Sequence, residues 1–366
     1  MMPSPYDIET FSADYFEARE KFLAACSARF GACKRFEHPT QRYRGKELTT
    51  DVCWVGDRQA DKVLVVISAT HGVEGFCGSA AQIDWLRHGA MPGDDTAVLL
   101  IHALNPFGFA HLRRVNEDNV DLNRNFIDFA AIPINEGYRE LAGVLLPAAW
   151  NEASEASVRQ KLADYRQRYG QRKTEQAVSS GQYEFSDGLF YGGSGPSWSR
   201  SVIETICRDY ALHARRSVAV VDIHSGLGPY GYGEVISDHP AGSKGAELAK
   251  RWFGDSVTEP ALGTSTSVPK FGLLDYAWHR ILADSGCYIT LEFGTYSIDA
   301  MFDVLREENY RWHRQTDIKY GDDTIRRKIR DYFFPDKQDW KEMVLFRAEQ
   351  VLRQALHGLA SGVPND

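Results

Sequence analysis

The chain has 366 residues, 43% apolar and 25% charged, with a net charge of −8, the balance of an ordinary globular protein. The acidic excess and the lack of a long Lys/Arg run argue against a phosphate-backbone partner, so no nucleic acid is expected. No stretch reaches the ~20 apolar residues of a membrane span. The amino-terminal stretch carries Asp7, Glu9, Asp14, Glu17 and Glu20 in place of a basic start and apolar core. It does not read as a signal peptide, and a cytoplasmic location is expected by default. Cys26, Cys33, Cys53, Cys77, Cys207 and Cys287 are scattered with no Cys-x-x-Cys pair, and read as reduced, mostly structural thiols.

Residues 14–31 repeat apolar positions at three and four and predict a lead-in helix. Strands are expected over 47–55 and 63–69, a helix over 78–89 closed by Gly89, and a buried strand over 97–103. Strand, helix and strand at this spacing make a βαβ unit, so part of the sheet is expected to be parallel. From about residue 134 the chain turns polar and helical, with helices expected over 139–156 and 157–173 and a Gly-rich loop at 191–196. This reads as an insertion of about 134–198 with no chemistry to name. A helix over 199–213, a buried strand over 217–223, a short strand over 233–237 and a helix over 243–253 follow. The series closes with a strand over 287–293 and helices over 298–313 and 340–359. Length alone suggests about two domains, but one α/β domain spanning 1–366, with a helical lead-in 1–40 and the insertion, is the better reading.

Chemistry gathers where strands end. His71 and Glu74 follow the 63–69 strand in a Gly-bounded turn, the usual place for a site in an open α/β sheet. An imidazole and a carboxylate three residues apart can reach one cation together. His224 follows another buried strand and precedes a Gly-rich loop. A packed core histidine looks the same, but with His71 and Glu74 it completes a two-His, one-carboxylate set that suits zinc, or iron(II) by ligand count. Glu292 sits amid strand residues, where a carboxylate is costly unless paired or functional. An outward-facing edge position would also explain it; beside a metal-activated water it would be a general base. Asn105-Pro106-Phe107-Gly108 reads as a turn. The segment Asp121-Leu122-Asn123-Arg124-Asn125-Phe126 packs an acid, two amides and an Arg together. Arg124 with a neighbouring amide can grip a carboxylate, and Arg114 could hold a developing oxyanion. A structural salt-bridge network is the plainer alternative.

In this order, His71-x-x-Glu74, Asn-Pro-x-Gly, Asp121 to Phe126, Asp222-Ile223-His224-Ser225 and Leu291-Glu292-Phe293-Gly294 resemble zinc carboxypeptidases of the M14 type. The likeness is greatest to the bacterial DUF2817 branch, and the matching blocks span about residues 63–300. The resemblance implies a mixed, largely parallel sheet of about eight strands with helices on both faces. It implies one zinc ion per chain held by His71, Glu74 and His224, with Asp121 orienting His71 and Glu292 as general base. Arg114, seven residues before Asp121, would polarise the scissile carbonyl, with Arg113 as fallback. Asn123 and Arg124 would bind the substrate's terminal carboxylate. Three tyrosines, Tyr230, Tyr232 and Tyr276, compete for the residue that closes over substrate in many relatives, and spacing does not choose among them. The expected activity is that of a zinc metallocarboxypeptidase cutting a peptide next to a free carboxylate. An N-acyl amino acid deacylase with the same zinc site is the alternative, and a binding module that kept the fold without catalysis is the third.

Overall fold

The computed structural model describes residues 4–30, 33–314 and 323–362. Among these lie seven strands of one sheet: β1 (Lys34–Tyr43), β2 (Lys46–Val55), β3 (Lys62–Ser68), β4 (Thr96–His102), β5 (Ser217–Gly226), β6 (Gly233–Ile236) and β7 (Gly286–Gly294). Their order is β1-β2-β4-β3-β5-β7-β6. The four central strands run parallel, and β1, β2 and β6 join antiparallel towards the edges. This is the mixed, mostly parallel sheet expected.

The central strands are apolar along their whole length because both faces are covered. On β3, Leu64 and Val66 pack into one core with α1 (Tyr15–Phe30), α2 (Gly75–His88), α8 (Lys244–Phe253) and α12 (Gln338–Ser361). The alternating Val63, Val65 and Ile67 pack into a second core with α7 (Trp198–Asp209) and α9 (Leu274–Leu282). A third core joins α4 (Glu136–Leu145) and α6 (Gln171–Ser179) of the inserted segment to α10 (Ile298–Arg314) and α11 (Asp323–Phe333). Between α4 and α6 lies the polar α5 (Glu152–Tyr169), of which only Val158 is buried. The remaining helix, α3 (Pro106–His111), follows β4. No helix among the described residues is long and apolar enough to cross a membrane.

Several local expectations are corrected. The stretch expected as a helical lead-in ends in β1, a strand whose exposed, charged sequence hides its period; Pro39 falls in its register shift between Glu37 and Arg42. Gly31, the expected last residue of the lead-in helix, lies outside the described residues. The insertion has three helices in place of two. Pro147 falls between α4 and α5, and Asn151 opens α5 by exchanging bonds with Ser154. Gly170, at φ +85°, separates α5 from α6. The helix α9 was not expected; it is short, and no side chain caps its start. Cys26, Cys33 and Cys53, scattered along the sequence, meet in one group in the fold.

Four imidazoles are held neutral by the packing. Burial lowers His102 and His239 to about 4, and His111 and His279 to about 3. Unfolded imidazoles titrate near ~6.5, so the unfolded chain binds more protons than the folded one at mildly acid pH. The stability these four contribute is complete above about pH 6.5 and is lost as the pH falls towards about 4 and 3. Urea unfolding from about pH 7 down to about pH 4 is expected to show a steadily falling midpoint; a flat profile would mean that these imidazoles charge within the fold.

Candidate metal centre

The chain leaves β3 through α2 to pair β4 on one side, and later enters β5 on the other side of β3. The reversal opens a crevice at the carboxyl ends of β3 and β5, where open α/β sheets place their sites. His71 and Glu74 occupy a 3₁₀ turn directly after β3. The turn packs against the start of α3, where a Cβ on Gly72 would stand 2.1 Å from the carbonyl carbon of Gly108. Asn105 makes that approach possible by capping α3: its Oδ1 accepts from the Gly108 N–H at 2.8 Å, with Pro106 in the first turn. Asn-Pro-x-Gly is therefore a helix start. Backbone bonds from Gly72 N–H to the Arg114 carbonyl and from Val73 N–H to the Arg113 carbonyl fix the turn from below.

His224 lies within β5, not after it, because β7 continues to pair with β5 as far as Gly226. In that parallel register His224 stands beside Glu292. Period-two alternation puts Asp222 and His224 on one face of β5, with Tyr288, Thr290 and Glu292 on the same face of β7. Asp222 accepts from His224 Nε2 at 2.8 Å, Tyr288 Oη at 2.7 Å and Thr70 Oγ1 at 2.9 Å. Asp222 was quoted in the sequence motif without a role; its i, i+2 spacing from His224 in a strand was the available signal.

On the other side Asp121 Oδ1 lies 3.0 Å from His71 Nε2. Arg114 Nη2 also lies 2.9 Å from that nitrogen, but the anionic carboxylate is the stronger partner for its proton. With both Nε2 atoms committed to carboxylates, the two Nδ1 atoms turn inward, 3.2 Å apart. Glu74 completes the set: Oε1 is 3.0 Å from His71 Nδ1 and Oε2 is 3.2 Å from His224 Nδ1. Donors ~2.0–2.1 Å from a tetrahedral ion stand about 3.3 Å apart, so these three residues can hold a metal ion. All are at least nine-tenths buried. Burial opposes charge on Glu74, yet His71 and Arg114 hold its carboxyl well below the usual range. Burial likewise opposes charge on His224, yet Asp222 and Glu74 raise it well above the usual imidazole range.

The other expected residues fall into two groups. Arg114 lines the cleft and bridges Asp121 Oδ2 (3.0 Å) and Glu74 Oε1 (2.7 Å). Glu292 lines it too; its Oε1 accepts from Leu227 N–H at 2.9 Å, and burial, then the Glu74 carboxylate, push it up to about 7. Asn123 and Arg124 also reach the wall. Asn123 Oδ1 accepts from Leu274 N–H at 2.8 Å. Arg124 donates from Nε and Nη2 to the Ser179 carbonyl, at 3.0 and 2.6 Å, and has no carboxylate within ion-pair distance among the described residues. Arg113 is not in the cleft. It is buried, paired with Glu308 at 2.5 Å and stacked 4.0 Å from the Trp312 ring centre. None of Tyr230, Tyr232 and Tyr276 lines the cleft among the described residues.

The cleft encloses about 790 Å³, part of it open to solvent. Sequence reasoning did not find its far wall: Ser179 and Phe190 from the inserted segment, and the titratable Asp238, Lys270 and Asp275. Replacing Arg113 by Met should leave Glu308 buried and unpaired, a loss of about 3–5 kcal/mol in stability, while metal uptake stays normal. Denaturant unfolding beside metal analysis checks both halves.

Three comparisons place the chain among known proteins. No curated protein matches it. Of solved structures, thrombin activatable fibrinolysis inhibitor (TAFI) is similar at 13% identity over 98% of this chain and 77% of that one, with a TM-score of 0.52. That likeness shows a shared fold. Murein-tripeptide amidase MpaA from Escherichia coli O157 aligns at 16% identity over 82% of this chain and 96% of that one, TM-score 0.36. A succinylglutamate desuccinylase from a Silicibacter species aligns at 12% identity over 77% and 66%, TM-score 0.39. The profile described as "Protein of unknown function (DUF2817)" matches residues 11–347, and the chain accordingly belongs to the DUF2817 family.

Proposed function

We propose that this chain is a zinc-dependent hydrolase of amide bonds, acting as a carboxypeptidase next to a free terminal carboxylate, with the whole chain as one α/β domain. The observation that carries the reading is the pair of imidazoles, each held at Nε2 by a carboxylate, with both Nδ1 atoms turned to Glu74. His71, Glu74 and His224 would hold zinc. Bound there, zinc supplies Lewis acidity for a carbonyl and makes water acidic near neutral pH.

Everything else falls to the protein. Asp121 and Asp222 fix the tautomers of the two imidazoles. Arg124, a buried cation whose hydrogen bonds among the described residues all go to carbonyls, receives the substrate carboxylate together with Asn123. Arg114 brings positive charge to the edge where the carbonyl oxygen becomes an oxyanion. Glu292 takes the proton of the attacking water at Oε2, the oxygen that Leu227 leaves free, and returns it to the departing amine. The position of its carboxyl near neutrality suits both halves of that transfer.

Matched peptides with free or amidated C-termini test the reading, using zinc-loaded protein and mass spectrometry. Stepwise loss of the last residue from the free acids alone is expected. If neither set is cut while N-acyl amino acids are hydrolysed, the substrate class is that of a deacylase and the carboxypeptidase reading is lost. Glu292→Gln should retain metal and lose about 10²–10⁴-fold in turnover; a variant keeping most of its activity would remove the base. Asp222→Asn should weaken zinc binding by about 10–100-fold in competition with a chromogenic chelator. His224→Ala should lose the metal, and full occupancy in that variant would strike out the ligand.

A further inference from the structure

We propose a second metal site, for a single thiophilic cation, formed by Cys26, Cys33 and Cys53. The three sulfurs lie within 4.8 Å of one another and all six cysteines of the chain are free. They come from three separate places: Cys26 on α1, Cys53 on β2, and Cys33 on the residue before β1. The antiparallel register that pairs Lys34 with Val52, carried one residue on, sets Cys33 opposite Cys53. Cys53 alternates with Val52 and Trp54, so its side chain faces the core that contains Cys26. Helix α1 then lays Cys26 over the cross-strand pair.

Sulfurs ~2.3 Å from a shared ion stand about 3.8–4.0 Å apart, whether the geometry is tetrahedral or trigonal, and the cluster is compact enough for either. Soft sulfur donors select Zn(II) or Cu(I) over hard cations. Among the described residues no fourth His, Cys, Asp or Glu joins the group. Cu(I) would be complete with three sulfurs, whereas Zn(II) would take a water. Cys26 and Cys53 are sealed, at 0% and 2% exposed, but Cys33 is only half-buried, which gives the ion an entry and that water a place. On binding, three S–H protons leave to solvent as three sulfur–metal bonds form. The ion would staple α1 to β1 and β2, and none of the three cysteines lines the cleft, so the site stands or falls independently of the proposed hydrolysis.

The test uses the reduced full chain titrated with Cd(II), whose thiolate charge-transfer absorption reports sulfur ligation alone. The band is expected to saturate at one equivalent per chain and to raise the melting temperature. Cys33→Ser, at the least buried position, should weaken the binding by at least ~100-fold, and Cys207→Ser should leave it unchanged. In the parent protein the bound ion should also protect Cys26, Cys33 and Cys53 from alkylation, mapped by mass spectrometry, which needs no variant to fold. Zn(II) and Cu(I) in separate competition arms decide which ion displaces Cd(II) more readily. No band, a band untouched in Cys33→Ser, or a disulfide among the three that forms in air despite added metal would each overturn the site.

Discussion

A buried carboxylate surrounded by donors holds the centre of this molecule together. Asp222 is sealed from solvent and takes hydrogen bonds from Thr70 after β3, His224 on β5 and Tyr288 on β7. Desolvating an isolated carboxylate costs several kcal/mol, so the charge is tolerable only while its donors stay in place. Their positions in turn fix how three neighbouring strands sit against one another. Asp121 plays the matching part for His71, braced by Arg114. The inward aim of both imidazoles follows from these two acids more than from the turn and the strand that carry the histidines.

Much of this was legible in the chain. Strands buried on both faces read as continuous apolar runs, so β2 to β5 and β7 stood out, and residues just beyond or at the ends of such runs were the natural candidates. His71, Glu74, His224 and Glu292 do converge. What stayed hidden was hidden for physical reasons. β1 is polar along an exposed edge, so it carries no hydrophobic period. Arg113 and Arg114 are chemically identical neighbours, and only Glu308 on α10 and the ring of Trp312 separate their fates. Arg124 is held by the carbonyl of Ser179, and a main-chain oxygen leaves no mark in residue type.

The inserted helices thereby change character. Read from composition they are a solvated appendage, and α5 still looks like one. α4 and α6, however, share a core with α10, α11 and Val73, which sits between His71 and Glu74 in the turn after β3. The same segment supplies Phe190, whose ring lies 5.5 and 5.6 Å from the guanidinium carbons of Arg114 and Arg124. Two of the basic side chains that line the cleft are thus spaced by one aromatic ring from a part of the chain outside the sheet.

The outer margin of the sheet has a consequence for how the protein behaves in a crowded solution. An unpaired strand invites a strand from another molecule to dock along it. On β1 such a visitor would meet Lys34, Arg35, Glu37 and Arg42, a break in register and a proline that cannot donate. The opposite margin, β6, is only four residues long and wholly buried. A sheet with so apolar a centre therefore offers neither flank as a ready template for fibrillar stacking, and the charged border that concealed β1 from a reader of the sequence is also what makes it a poor edge for a visiting strand.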